Sequence, residues 1–96
     1  MKKTFSLTHE KTAPARLVEA IKNDVRKYLK RERAKTLPKG ADFWDFDCRF
    51  GADAANSKVV HVAEIDAALN QAEEQKLEAC YIEIIAKPGY RKPRED

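Results

Sequence analysis

The run Phe43-Trp44-Asp45-Phe46-Asp47-Cys48-Arg49-Phe50 alternates without a break. Trp44, Phe46, Cys48 and Phe50 fall on one side, and Phe43, Asp45, Asp47 and Arg49 on the other. Successive side chains of a β-strand point to opposite faces, so the pattern fits a strand with one face buried and the other in water. A helix would scatter both sets around its axis. A strand of this kind commits the chain to a sheet and to a second layer that covers the sheet's apolar side.

The other elements have their own periods. Thr4 to Thr8 alternates, with Phe5 and Leu7 on one side, and reads as a short strand. From Pro14 to about Ala34 the period becomes helical: Leu17, Val18, Ile21, Val25, Tyr28 and Leu29 share a stripe. Pro14 suits a first helical turn, where its missing N–H costs nothing, and Thr12 is the expected N-cap. Pro38 and Gly40 end the segment. After the alternating run, Gly51 to Ser57 is a loop and Lys58 to Val62 a short β-branched strand. Ile65, Ala68, Leu69 and Ala72 mark a second helix, and Glu78 to Ala86 a last strand with Cys80, Ile82 and Ile84 inward.

The order β-α-β-β-α-β predicts an α+β, ferredoxin-like domain: a four-stranded antiparallel sheet with two helices on one face. Residues 1–89 form the single domain, and residues 90–96 a loose, flexible basic tail. The expected core is Phe5, Leu7, Trp44, Phe46, Cys48, Phe50, Val60, Val62, Ile82 and Ile84 against the helix stripes. In such sheets strands one and three are usually central. Cys48 and Cys80 would then sit on opposite edges, too far apart for a disulfide.

Charge decides where function is sought. Charged residues make up 36% of the 96 residues, and they are unevenly placed. Residues 1–40 carry 12 basic and 4 acidic side chains, whereas residues 41–83 carry 3 basic and 10 acidic. No apolar run approaches the ~18 residues of a membrane span, and Lys2-Lys3 is not followed by the apolar stretch of a signal peptide. Two cysteines without a secretory signal fit reduced thiols, and the expected location is the cytoplasm.

Two surfaces are candidates. The first helix presents Lys22, Arg26, Lys27, Lys30, Arg31 and Arg33, followed by Lys35 and Lys39, with Arg91, Lys92 and Arg94 of the tail able to add to them. Lysine and arginine in such density suit phosphate, giving affinity without sequence reading; a solvated helix face is also commonly charged. The second surface is the sheet face without helices: Thr4, Ser6, Thr8, Phe43, Asp45, Asp47, Arg49, Val59, His61, Tyr81, Glu83 and Ile85. Asp45, Asp47, His61 and Glu83 could hold a divalent metal or act as acid and base. Equally, charged residues on a strand keep sheets from pairing edge to edge, with Arg49 paired to an aspartate. Asp45, Asp47 and Glu83 would repel phosphate, which argues against RNA stacking on this sheet. Phe43, Val59, Tyr81 and Ile85 could instead meet a second copy of the chain.

The sequence DFWDFDCRFG, followed by HVAEI, resembles a small bacterial family of uncharacterised proteins, a domain of unknown function, over nearly the whole chain. That resemblance implies a single bacterial cytosolic domain and assigns no catalytic residue. There is no HxxEH, paired CxxC or nucleophile elbow, and no cofactor is expected. The sequence points to a non-enzymatic binding domain whose basic first helix contacts RNA, the ribosome or an acidic protein surface. The alternative is a small metal- or ligand-binding enzyme on the open sheet face.

Overall fold

The alternating run forms the strand it predicts, and the helical stripe the helix. A computed structural model describes residues 1–91 of the chain. In chain order the elements are β1 (Lys2–Ser6), α1 (Pro14–Arg33), β2 (Phe43–Gly51), β3 (Lys58–Val60), α2 (Ile65–Glu74) and β4 (Ala79–Gly89). They build one open antiparallel sheet and two helices in a ferredoxin-like β-α-β-β-α-β layout. Residues 92–96, with Lys92 and Arg94 of the expected tail, lie outside the described residues. Of the tail's start, Arg91 donates its amide to Asp42 Oδ2 at 2.7 Å.

α1 buries Val18, Ile21, Val25 and Leu29, and α2 buries Ile65, Leu69 and Ala72. Both stripes meet Phe5, Leu7, Phe46, Cys48, Cys80, Ile82 and Ile84 from the sheet. Trp44, Phe50, Val60 and Val62 pack at the margin of this core. Pro14 opens α1 as expected, but the N-cap is Ala13, which makes no side-chain cap bond, and not Thr12. Lys30, Arg31 and Arg33 crowd the last turn of α1, where cations favour the negative end of the helix dipole.

The strand order is β1-β4-β2-β3, so the central strands are β4 and β2 and the edges are β1 and β3. This reverses the expected centre. Each split βαβ unit still has one strand inserted: β4 lies between the parallel β1 and β2, and β2 between the parallel β3 and β4. Periodicity dictates which face a residue takes, and it is silent on which strand is inserted where. Cys48 and Cys80 therefore sit on neighbouring central strands, both buried and both free thiols. Cys48 is opposite Ile84, four residues along β4 from Cys80, or about 13 Å at the usual strand rise, beyond disulfide reach.

Local chemistry fixes the connections. Gly40, at φ +88°, sits in the turn that Ala41 N–H closes onto Pro38 C=O, a backbone region open to glycine. Trp44 Nε1 donates to Lys35 C=O at 2.9 Å and ties the exit of α1 to β2. Gly51 lies against the β2–β3 loop so closely that a Cβ there would come within 2.6 Å of Ser57 Cα. Only glycine fits that approach.

Candidate anion-binding surface

The eight basic residues expected to form one surface have different fates. Lys22 is buried: its Nζ donates to Asn70 Oδ1 of α2 at 2.7 Å and lies 3.7 Å from Glu19. Arg26 is exposed but faces the same seam, donating to Asn23 and pairing with Asp66 of α2 at 3.5 Å. Lys35 pairs with Glu32 at 2.8 Å. Arg33 places its guanidinium 5.3 Å from the centre of the Phe46 ring, a cation–π contact that holds it against β2. Lys39 is exposed in the turn that follows.

Lys27, Lys30 and Arg31 remain. All three are exposed, and no carboxylate among the described residues forms an ion pair with them. Lys27 lies three residues before Lys30 and four before Arg31, which makes it the helix-surface neighbour of both. Arg31 also leans over the Tyr28 ring, 5.7 Å from its centre.

Between α1 and the edge strand β1 runs a groove of about 290 Å³, lined by Met1, Lys3, Phe5, Asp24, Lys27, Tyr28 and Arg31. Lys3 brings a cation here from a different element, its Nζ 4.9 Å over the Phe5 ring. The signal for Lys3 was present in the sequence: in a strand, a residue two before an inward Phe5 takes the same face. At the end of a strand that face is the rim of the helix layer, and a long cation reaches solvent from it.

The acidic candidates are used up by the fold in other ways. Asp45 Oδ1 accepts the backbone N–H of Phe46 at 2.8 Å. Asp47 pairs with Lys87 of β4 at 2.8 Å, and the Lys87 pKa is raised, chiefly by that hydrogen bond. Glu83 Oε1 accepts from the Tyr81 hydroxyl at 2.8 Å, which raises the tyrosine's pKa. Arg49 does not pair with an aspartate. It donates to Ser57 Oγ at 3.0 Å and to Ser57 C=O at 2.6 Å, pinning the β2–β3 loop.

His61 does not lie on the sheet face, because β3 stops at Val60. Its Nδ1 accepts from Ala63 N–H at 3.1 Å, and Glu64 Oε1 accepts from His61 N–H at 2.7 Å. This reciprocal pair starts the 3-10 turn ahead of α2. Asp45, Asp47 and His61 line one open depression with Val59 and Glu64, and Glu83 is not among them. Among the described residues no three His, Cys, Asp or Glu side chains are grouped to hold a metal ion. The four residues of the metal alternative do not converge. On the open face Phe43, Ile85 and Val59 are exposed, and the Phe43 ring fills the space over Gly89 of β4.

No helix among the described residues is long and apolar enough to cross a membrane. The sequence matches the Family of unknown function (DUF6172) over residues 1–95. No curated protein and no solved structure matches the chain.

Proposed function

The chain belongs to the DUF6172 family, whose function is unknown, and we propose that it is a non-enzymatic binding domain that holds the phosphate backbone of RNA on the outer side of α1. The observation that carries this is the cluster Lys27, Lys30 and Arg31, three exposed cations, the first three and four residues before the others, without a carboxylate partner among the described residues. Like charges at these spacings repel by a few tenths of a kcal/mol per pair. A polyanion relieves that repulsion and gains contacts as well. Lys22, Arg26 and Lys35 already have partners and add little.

The test is a binding titration of a labelled single-stranded RNA at rising salt. With three phosphate contacts the logarithm of affinity should fall with the logarithm of salt at a slope of roughly −2. Reversing the three charges together (Lys27→Glu, Lys30→Glu, Arg31→Glu) should abolish binding, while Lys35→Glu should leave it nearly unchanged. Binding that ignores salt, or survives the triple reversal, overturns the proposal. Tight binding of an acidic polypeptide with none of RNA would reassign the surface to a protein partner.

A further inference from the structure

We infer that the groove between β1 and α1 is a subsite for a phosphomonoester, the phosphorylated end of an RNA strand. The inference rests on the RNA reading above and goes beyond it. The outer ridge of α1 can touch only a passing backbone. The groove differs in three respects. It is an open groove of about 290 Å³, just under the ~300–1,000 Å³ of ligand pockets. Its cations, Lys3, Lys27 and Arg31, come from two elements, so a ligand can be held from both sides. Its walls include the rings of Phe5 and Tyr28, each with a cation placed over it.

A terminal phosphate carries up to two negative charges where a backbone phosphate carries one. It also has the freedom to enter a groove that the middle of a strand lacks. Arg31 offers a planar fork matched to phosphate oxygens, and the two lysines add point charges. Asp24 lines the same groove and opposes an anion there. No ion pair joins it to Lys27 or Lys3. It therefore sets a sign that a test can use.

The experiment compares three labelled RNA strands of one sequence: a 5′-phosphate, a 3′-phosphate, and hydroxyls at both ends. Either phosphorylated strand should bind wild-type protein about tenfold more tightly than the hydroxyl strand, the worth of one charge-assisted hydrogen bond. Lys3→Ala and Lys3→Gln should both remove that preference and leave the hydroxyl strand's affinity within about twofold. Asp24→Asn should increase the preference. Equal binding of all three strands to wild type overturns the subsite and leaves the ridge standing. A preference that survives both Lys3 variants also overturns it. No binding of any strand at low salt overturns the RNA reading itself.

Discussion

Lys22 and Lys30 lie on the same helix and differ in what they can do. Lys30 faces water, whereas Lys22 is buried with its ammonium on Asn70 and Glu19. Taking one partner from a buried charge costs more than replacing the charge by an apolar side chain of like shape. Asn70→Ala should therefore destabilise the fold by roughly 1–3 kcal/mol. Lys22→Met should cost less than about 1 kcal/mol, since the aliphatic stem is already packed. Urea midpoints of the two variants decide it, and a larger loss for Lys22→Met would show that the ammonium itself stabilises the seam. The residue illustrates a limit of sequence reading. Lys22 falls at the border of the apolar stripe of α1, and only the position of α2 decides that this border is a buried seam. Lys3 shows the opposite case, its position in the groove following from the alternation around Phe5.

At the scale of elements, β2 is the strand most legible in the sequence, and its two aspartates have become specific. β3 pairs only with Cys48 to Phe50, so the outer edge of β2 before Cys48 has no strand beside it. Cys48 exchanges its hydrogen bonds with β3, and alternation turns the Phe46 N–H and C=O to that same free edge. The Asp45 carboxylate occupies the Phe46 N–H, and the Cys48 thiol lies 3.9 Å from the Phe46 carbonyl oxygen. Asp45 thus blunts an edge that would otherwise accept a foreign strand. Asp45→Ala should self-associate with rising concentration in sedimentation velocity. Asp45→Asn, which keeps an acceptor oxygen, should sediment as wild type does. Identical behaviour of both variants would remove this role.

The helix stripes and the strand near 43–51 were readable because each has a clear period and a clear stop. The last strand was readable by its period alone: Pro88-Gly89 does not stop it at Ala86, because both residues pair with Phe43 and Trp44 of β2. β3 was overestimated. His61-x-x-Glu64 is itself a helix-start pattern, and it pulls the chain out of the sheet one residue after Val60. Strand order was not readable, because exchanging the inserted strands leaves every residue's face unchanged.

At the scale of the whole molecule, the proton affinities that the fold clearly alters among the described residues all move upward. Burial pushes the Cys48 thiol up to about 11, with Asp47 and Asp45 adding to it. Burial alone does the same for Cys80. Tyr81 and Lys87 are raised by hydrogen bonds to Glu83 and Asp47. The sign is common to all four. A raised pKa means that the folded state keeps a proton that the unfolded state releases, so stability is lost as pH rises. For the thiols the loss begins near the ordinary value of 9.0 and runs to about 11. Urea midpoints should decline through that window, and Cys48→Ala with Cys80→Ala should flatten the decline there. An equally steep decline in the double variant would assign it to other groups.

β4 hydrogen-bonds to β1 on one side and β2 on the other, and no ladder joins β1 directly to β2. Until Ala79 to Gly89 is in place, the chain has a lone strand, two helices and a hairpin whose apolar faces have no common sheet. Synthesis from the N-terminus therefore makes the keystone last among these strands. β1 and the edge of β2 that faces β4 stay unpaired and open to wrong partners until it arrives, and closure then comes in one late, long-range step.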